Sequence, residues 1–445
     1  MSHSQLLEPS TATKVVTLNR TSSLADWLCW LERLSPKEIE LGLARVVDVL
    51  GRLELPRPPR LLTVGGTNGK GSCVALLAGF FIGSGRRVGT YSSPHLIHYC
   101  ERVCVDGRPI SEADMVAAFC DVERVRRGVP LTYFEFGTLA ALCAFAAKDV
   151  DAIVLEVGLG GRLDAVNAVD PDAVLITNVG MDHMEWLGHD IESIAAEKAG
   201  LIRPKKPVVF GGREVPQAVE RVAAELDADL VLAHRDYRFT QSGNGRWDWR
   251  GRRSILNELP PPALAGVHQV ENAAAVLALI ESLDDDRLLN QQVAAQALRG
   301  AELKGRQQTV AVSGVSWLLD GAHNEDGAAA LAQTLRQRGE DQDVALALGV
   351  LSDKDADAII RVLAPEVTFW IACTPDSLRA RAALDLAQRI AERTGSPCRV
   401  VATVAESLLA LAEVTRPDDL RVVAGSFFTV GPALRALEGQ AHPGQ

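Results

Sequence analysis

Short apolar runs alternate with longer amphipathic segments along most of the chain. The short runs are rich in Val, Ile and Leu and end in Gly, Asn or Thr, which is typical of buried strands. They predict strands at residues 61–64, 153–157, 173–177, 207–210, 344–348, 368–372, 399–404 and 421–424. The amphipathic segments predict helices that include residues 24–34, 37–50, 71–83, 137–148, 271–281 and 328–337. This alternation predicts an α/β fold with mainly parallel sheets, covered by helices on both faces.

The length of the chain, 445 residues, predicts two domains. We place the boundary after residue 299, where a helical run ends and a turn-like segment begins. Residues 1–299 should form a parallel-sheet domain, and residues 300–445 a smaller Rossmann-like α/β domain. Between residues 235 and 262 the alternation breaks, and we interpret this segment as an antiparallel excursion at the edge of the first domain.

Charge and cysteine content exclude several classes of protein. Asp and Glu total 57 against 46 Lys and Arg, a formal charge of −11 that disfavours non-specific binding to nucleic acid or anionic membranes. We find neither an apolar run long enough for a transmembrane helix nor the apolar core of a signal peptide. The eight cysteines follow no metal-binding spacing and are interpreted as reduced thiols. These features predict a cytoplasmic protein that can still bind anionic ligands at local sites.

The strongest local signal is a glycine-rich segment, GGTNGKGS at residues 65–72, between a predicted strand and a predicted helix. Glycines let backbone N–H groups approach phosphate oxygens, and the helix N-terminus adds a partial positive charge. Lys70 can reach terminal phosphates, and the Ser72 hydroxyl can join a Mg²⁺ shell. The segment departs from the strict Walker pattern at Val64 and Gly71. The predicted ATP contacts are Thr67, Asn68, Gly69, Lys70, Gly71 and Ser72.

Further polar motifs follow the glycine-rich segment in a fixed order. They lie at residues 90–96, 132–136, 156–165, 182–188, 196–200, 268–273, 305–306, 320–324, 349–355 and 425–428. Together they resemble the dihydrofolate synthase/folylpolyglutamate synthase family of the Mur-ligase superfamily, from about residue 24 to about residue 431. The resemblance implies a P-loop ATPase domain like the central domain of Mur ligases, followed by a glutamate-ligase domain.

Two residues at predicted strand ends are candidate metal ligands. Glu156 ends a strand before a glycine-rich turn, where a carboxylate would face Mg²⁺–ATP at the carboxyl edge of the sheet. His183 follows the next predicted strand and can reach the same edge, although Mg²⁺ prefers oxygen ligands. The resemblance implies metal binding by Ser93, Glu156 and His183, with Ser72. A turn carboxylate and a structural histidine are the alternative interpretations.

Lys198 lies on the apolar face of a predicted helix, together with Ile191, Ile194, Ala195 and Ile202. A lysine there usually extends its amine to solvent. A desolvated lysine instead has a lowered pKa and can attack CO₂. The resemblance implies a carbamylated Lys198 whose new carboxylate helps to hold a second Mg²⁺ ion, and it allows for a K⁺ ion.

The remaining candidate residues rest on the resemblance. It implies nucleotide contacts from Asn272, Arg306, Asp320 and His323, and domain closure would bring the last three to ATP. Tyr133 and Phe134 can stack on a pterin ring. The implied pterin and glutamate contacts are Thr132, Tyr133, Phe134, Glu135, Leu163, Asp164, Ala165 and Ser426. Helix capping is the alternative for Asp320, and a buried helix start is the alternative for residues 132–135.

The resemblance implies a monomeric ATP-dependent ligase that adds L-glutamate to 7,8-dihydropteroate and to reduced folates through an acyl phosphate. A monofunctional folylpolyglutamate synthase is an alternative that the sequence does not separate from it. A cell-wall Mur ligase is disfavoured because such enzymes carry a UDP-binding domain before the loop, and only 64 residues precede Gly65 here. A GTPase-like switch is disfavoured because the sequence contains no Asn-Lys-x-Asp motif.

Overall fold

The computed structural model describes residues 18–35, 40–266, 268–337, 342–416 and 418–441. The helices are α1 Leu24–Leu34, α2 Ala44–Leu53, α3 Lys70–Gly83, α4 Glu112–Arg126, α5 Tyr133–Ala147, α6 Met184–Leu187, α7 Ile191–Ala199, α8 Gln217–Glu225, α9 Gln269–Ser282, α10 Gln291–Gly300, α11 Glu325–Gln337, α12 Ala356–Leu363, α13 Ala383–Thr394, α14 Val404–Val414 and α15 Phe427–Ala441. Short 3₁₀ helices cover Tyr99–Arg102, Ala165–Ala168 and Ala364–Glu366.

The described residues contain seventeen strands in three sheets. The strands are β1 Arg60–Gly65, β2 Val88–Tyr91, β3 Val103–Val105, β4 Arg108–Pro109, β5 Ala152–Glu156, β6 Ala173–Ile176, β7 Pro207–Phe210, β8 Asp229–Leu232, β9 Arg238–Gln241, β10 Trp247–Arg250, β11 Ile255–Leu259, β12 Gln308–Val312, β13 Val315–Asp320, β14 Val344–Leu348, β15 Phe369–Ala372, β16 Cys398–Val400 and β17 Leu420–Ala424.

The largest sheet has the strand order β4-β3-β2-β5-β1-β6-β7-β8. Strands β2, β5, β1, β6, β7 and β8 run parallel, and β3 and β4 extend one side antiparallel. Apolar side chains pack on both faces, with α4 and α5 on one face and α3, α9 and α10 on the other. Because both faces are covered, the parallel strands are buried apolar runs, as their sequence predicted.

A second sheet of six strands follows, in the order β12-β13-β17-β14-β15-β16. Strand β12 is antiparallel to β13, and the remaining neighbours are parallel. Apolar clusters again cover both of its faces. The α/β class with mainly parallel sheets is therefore confirmed. All strands of this sheet follow residue 307, while the boundary at residue 299 stays a prediction.

The segment that breaks the alternation forms a small antiparallel sheet of β9, β10 and β11. Trp247 and Trp249 are fully buried, and their indole N–H groups donate to the carbonyl oxygens of Pro260 and Ala274. The two indoles therefore fix this sheet against α9 and the loop that follows β11.

Two sequence predictions need correction at their boundaries. The strand predicted at residues 399–404 ends at Val400, and Val404 already begins α14. The reason is local, because the Thr403 hydroxyl accepts from the Glu406 N–H and the Glu406 carboxylate accepts from the Ala402 N–H. The helix predicted at residues 37–50 starts outside the described residues, and within them it covers Ala44–Leu53. None of the described helices is long and apolar enough to cross a membrane.

Candidate active site

The carboxyl ends of three central strands bring the candidate residues together. Glu156 ends β5 opposite Val64 of β1, and Gly65 pairs with Ile176 at the end of β6. The loops that follow these strands therefore start at the same edge of the sheet. Ligands of open parallel sheets bind at this edge.

The glycine-rich loop after β1 is held in place by the loop after β6. The Thr177 hydroxyl donates to the Asn68 carbonyl at 2.6 Å, and the Thr67 N–H donates to the Asn178 carbonyl at 3.0 Å. Gly66 has a φ of +140°, and a Cβ there would lie 1.8 Å from the Thr177 hydroxyl. No other residue type fits such an approach, so this glycine sets the shape of the loop.

The loop contains groups that an anion would stabilise. Lys70 folds back, and its Nζ donates to the carbonyls of Gly66 and Thr67, each at 3.0 Å. Burial lowers the pKa of Lys70, while the charges of Glu156 and Asp182 oppose that shift. The buried Nδ2 of Asn68 has no hydrogen-bond acceptor among the described residues. A desolvated ammonium and an unpaired N–H both gain from phosphate oxygens, so the loop fits a nucleotide.

A chain of hydrogen bonds connects the first turn of α3 to α9. The Asn272 Nδ2 donates to the Gln269 Oε1 at 3.1 Å, and the Gln269 Nε2 donates to the Ser72 hydroxyl at 3.2 Å. A Cβ on Gly69, whose φ is +82°, would lie 2.7 Å from the Asn272 Oδ1. The predicted nucleotide contact Asn272 thus lies directly behind the loop, and the buried Gln269 orients both Asn272 and Ser72.

Glu156 is a buried carboxylate beside the start of α3. Burial raises the pKa of Glu156. The charges of Lys70 and Arg306 oppose that shift, and so do hydrogen bonds from the Ser93 backbone and the Ser92 side chain. Across the described residues, no three His, Cys, Asp or Glu side chains cluster into a metal site. A Mg²⁺ ion beside Glu156 would therefore need hydroxyl, phosphate and water oxygens as well. This fits the ion, because Mg²⁺ commonly binds one or two carboxylates together with substrate phosphates.

Asp182 is the centre of a polar cluster that connects the domain of the eight-stranded sheet to the domain of the six-stranded sheet. Its carboxylate accepts from Lys354 Nζ at 2.6 Å and from Asn324 Nδ2 at 3.2 Å, and His323 Nε2 lies 3.6 Å away. Asn324 also donates to the Asn68 side chain at 3.1 Å. Burial alone would raise the pKa of Asp182, but His323, His183 and Lys354 hold it well below its usual range.

His183 borders the same cluster, as the prediction of a common edge required. It has a φ of +52°, and its Nε2 lies 3.4 Å from Lys354 Nζ and 3.9 Å from Asp182. Burial lowers its pKa to about 4, so the imidazole is neutral at pH 7 and keeps a lone pair. A neutral imidazole can ligate a metal.

The second domain contributes a buried cation and a buried acid. The Arg306 guanidinium lies 4.5 Å from the centre of the Phe427 ring, and burial lowers its pKa. Burial raises the pKa of Asp320 to about 6, and the charge of Arg306 opposes the shift. His323 Nδ1 lies 2.8 Å from the Gly321 carbonyl. Asn324, rather than Asp320, caps α11 by accepting from the Gly327 N–H. The Asp320 carboxylate instead accepts hydrogen bonds from Ala322 and Gln307.

Lys198 is buried on the inner face of α7, with 3% of its surface exposed. Burial lowers the pKa of its amine to about 7, with a further contribution from the charge of Lys70. Asp182 and Asp164 oppose that shift. The amine therefore does not extend to solvent, and a large fraction of it is neutral at pH 7.

The residues predicted to face a pterin begin α5, and two of them are engaged with each other. Thr132 caps the helix, and the Glu135 carboxylate accepts from the Thr132 N–H at 2.7 Å. Glu135 also forms an ion pair with Arg45 at 2.9 Å. Its carboxylate thus already has partners. Contact between Glu135 and a substrate stays a prediction.

The aromatic pair after Thr132 lies near the glycine-rich turn after β5. Phe134 packs on Tyr91 with ring centres 5.8 Å apart, and a Cβ on Gly158 would lie 2.7 Å from its ring. Asp164 is buried, and its carboxylate accepts from the N–H groups of Leu159 and Val166. Burial raises its pKa to about 6. Its neighbours in this turn are a half-buried Leu163 and a buried Ala165.

The Ser426 hydroxyl makes a local hydrogen bond, because it accepts from the Phe428 N–H at 3.1 Å. Its side chain is 3% exposed and precedes α15. A role in binding glutamate stays a prediction.

Sequence reasoning missed Asp182, Lys354 and Gln269 as site residues. All three lie inside the motifs at residues 182–188, 349–355 and 268–273. The contact between domains reveals the link of Asp182 to Lys354, and the contact of α9 with α3 reveals the role of Gln269.

Comparisons with known proteins agree with this architecture. The family model of the Mur ligase middle domain matches residues 64–280, and that of the Mur ligase glutamate ligase domain matches residues 305–427. The dihydrofolate synthase/folylpolyglutamate synthase of Escherichia coli (strain K12) is 35% identical over 430 residues, which cover 96% of this chain and 99% of that protein. The Haemophilus influenzae protein of the same name is 35% identical over 444 residues, covering 95% and 99%.

Solved structures match over the same span. E. coli FolC in complex with DHPP and ADP has a TM-score of 0.90 at 34% identity and covers 96% of this chain and 100% of its own. The bifunctional folylpolyglutamate synthase/dihydrofolate synthase of Yersinia pestis, complexed with AMPPNP and Mn ion, has a TM-score of 0.87 at 40% identity, covering 95% and 100%. The chain therefore belongs to the dihydrofolate synthase/folylpolyglutamate synthase family of Mur-type ligases.

Proposed function

We propose that this protein is an ATP-dependent ligase that joins L-glutamate to 7,8-dihydropteroate and to reduced folates. The observation that carries the proposal is the buried cluster at the carboxyl edge of the large sheet. There the glycine-rich loop with Lys70 and the carboxylate of Glu156 meet Arg306 from the second domain. Relatives named for both activities, similar over nearly the whole chain, support the choice of substrates.

The chemical problem is that a carboxylate does not form an amide with an amine in water at a useful equilibrium. We propose that the substrate carboxylate attacks the γ-phosphate of ATP, which gives an acyl phosphate and ADP. Lys70 and Arg306 neutralise the charge that develops on the transferred phosphoryl group. The amine of glutamate then attacks the acyl carbon, and the tetrahedral intermediate releases phosphate. No protein nucleophile is needed, and positioning and electrostatics supply the catalysis.

Ser72, Ser93, Glu156 and His183 would hold Mg²⁺, which polarises phosphate oxygens when it is bound. We propose further that Lys198 carries a CO₂-derived carbamate, whose carboxylate would add a ligand for a second ion. The support is a buried amine with a pKa of about 7, close to the loop. A K⁺ ion remains a prediction from the family resemblance alone.

Closure of the two domains completes the proposed site. Asn324 bridges Asn68 and Asp182, and Lys354 donates to Asp182, so the nucleotide loop and the second domain share one polar network. We propose that this network holds the closed state while the acyl phosphate is present, which would exclude water from a reactive intermediate.

Lys354→Ala should lower kcat/KM by about 100-fold, because it leaves the Asp182 carboxylate buried without its cation. Steady-state kinetics with each acceptor measure this loss, and small-angle scattering with bound nucleotide should find a larger open fraction. Lys304→Ala is the matched control, since Lys304 forms an exposed ion pair with Glu438 in the second domain. Such a pair contributes little, so the control should stay within about twofold of wild type. An equal loss in both variants would contradict the proposed network.

The proposed function is tested by following ADP release with ATP, Mg²⁺ and L-glutamate, with 7,8-dihydropteroate and a reduced folate offered separately. Turnover with both acceptors is expected. Turnover with the folate alone would reduce the protein to a monofunctional folylpolyglutamate synthase. Absence of turnover with both, while ATP still binds, would contradict the proposed acceptors.

We also propose that the protein acts as a monomer in the cytoplasm and divides into domains at residues 1–299 and 300–445. All eight cysteines are free thiols, which suits a reducing compartment. The two matched family models end and begin at residues 280 and 305, on either side of the proposed boundary.

A further inference from the structure

Arg102 is a half-buried cation held among aromatic rings next to the proposed site. Its guanidinium carbon lies 5.4 Å from the centre of the Tyr99 ring and 5.6 Å from that of Tyr133. Its Nε donates to the Nδ1 of His95 at 2.8 Å. These contacts and a side-chain hydrogen bond to Tyr91 fix the guanidinium. Its remaining N–H groups can donate to another acceptor.

No carboxylate of the described residues forms an ion pair with Arg102, although acidic side chains are close in sequence. The neighbouring Glu101 is fully used, because its carboxylate accepts from the N–H groups of Leu96, Ile97 and His98. His95 accepts from Arg102 through the Nδ1 lone pair and supplies no negative charge. A partly buried guanidinium without a counter-ion is an established receptor for carboxylates, which it binds through two parallel hydrogen bonds.

The position of Arg102 connects it to the acceptor substrate. Its carbonyl accepts from the Ser92 N–H at 2.9 Å, so it is held beside the loop that carries the proposed metal ligand Ser93. On the other side, Tyr133 begins α5 within the segment predicted to face the pterin. Arg102 therefore lies between the region proposed for phosphoryl transfer and the region proposed for the acceptor ring.

The two proposed acceptors differ in charge where they react. Dihydropteroate ends in a single benzoate carboxylate, which is itself activated. A reduced folate ends in a glutamate with two carboxylates, of which one is activated and the other is a spectator that stays ionised. A site that accepts both substrates needs a cation for the spectator carboxylate only when a folate is bound.

We propose that Arg102 binds the spectator carboxylate of the terminal glutamate of a reduced folate, and so determines specificity for folates over dihydropteroate. This inference rests on the proposed function. The competing interpretation is that Arg102 only packs between Tyr99 and Tyr133. Packing would affect both acceptors equally, whereas carboxylate binding affects the folate alone.

The test compares both acceptors in Arg102→Met, which keeps the length and apolar packing of the side chain but removes its charge. The KM for the folate should rise by about 10- to 100-fold, the range expected when a charge-assisted hydrogen bond is lost. The KM for dihydropteroate should change by less than about threefold, with kcat similar for both. Arg102→Lys should recover part of the folate affinity, since it restores the charge without the bidentate geometry.

A reduced folate amidated at its spectator carboxylate, tested with both wild-type enzyme and Arg102→Met, turns the comparison into a double-mutant cycle. With wild-type enzyme this analogue should lose as much affinity as Arg102→Met loses for the normal folate, and the variant should lose little more with the analogue. Arg108→Gln, at an exposed position of β4, is the control and should leave both KM values unchanged.

The possible outcomes separate the two proposals. Equal losses with both acceptors, or additive losses in the cycle, would overturn the role of Arg102 while leaving the ligase function intact. If wild-type enzyme turned over neither acceptor, the proposed function would be wrong, and this inference would be overturned with it.

Discussion

Lys70→Met should lower kcat by about 100- to 1,000-fold, the loss typical when one preorganised electrostatic donor is removed from a reacting group. Lys70 is buried, and its amine already lies over the glycine-rich loop, hydrogen-bonded to two of the loop carbonyls. Binding of phosphate would replace these weak partners with charged ones. The effect should therefore be larger on phosphoryl transfer than on the KM for the acceptor or for glutamate.

Single-turnover measurement of ADP formation checks this expectation, because it isolates the phosphoryl-transfer step from product release. The control is Lys148→Met, which removes a lysine at the far end of α5 that pairs with Asp114. This variant should remain near wild-type activity. A Lys70→Met enzyme with normal single-turnover rates and a raised KM for ATP would show that Lys70 only binds the nucleotide.

Lys198→Ala should reduce activity by about 100-fold or more if the carbamate holds a metal ion, since the variant loses a negatively charged ligand near the phosphates. Short-chain carboxylic acids should restore part of the activity by occupying the vacated space. The measurement is kcat with and without added acetate or formate. Near-normal activity of Lys198→Ala without any added acid would rule out the carbamate.

The pH dependence offers a second check on Lys198. Only the neutral amine attacks CO₂, and the folded-state pKa of Lys198 is about 7. Carbamate formation in the metal-free enzyme should therefore increase as pH rises from about 6 to about 8. Incorporation of ¹³C-labelled CO₂, observed by NMR, measures this directly. The exposed Lys205 should not be labelled under the same conditions, and Lys205→Gln should leave the signal unchanged.

Local sequence patterns predicted the individual elements well because the relevant forces act over short distances. The β1 run and the glycines that follow it define a strand, a turn and a helix start within about fifteen residues. The predicted apolar face around Lys198 is confirmed for Ile194 and Ala195, which are buried. It is wrong for Ile191, which is exposed, and for Ile202, which lies beyond the end of α7. The strand predicted at residues 399–404 was too long, because a Thr403–Glu406 cap begins a helix inside an apolar run.

Family resemblance supplied the candidate site residues, whose roles stay predictions, and the contacts bear on two of them. Glu135 was expected to face the substrate, whereas its carboxylate is paired with Arg45. Asp320 was weighed as a helix cap, whereas Asn324 takes that role. Such differences arise because hydrogen-bond partners come from distant segments. Arg45 and Glu135 are separated by 90 residues, which no local pattern connects.

The sequence by itself determined the α/β class, the glycine-rich loop, the main strands and helices, and the family to which the chain belongs. These depend on periodicity, glycine placement and ordered motifs, which are all written along the chain. Only the tertiary structure decided that Asp182 joins the nucleotide loop to Lys354, and that Arg102 has no carboxylate partner among the residues that the structure describes. Ion pairing and desolvation depend on which groups come within a few ångströms after folding, so sequence separation carries no information about them.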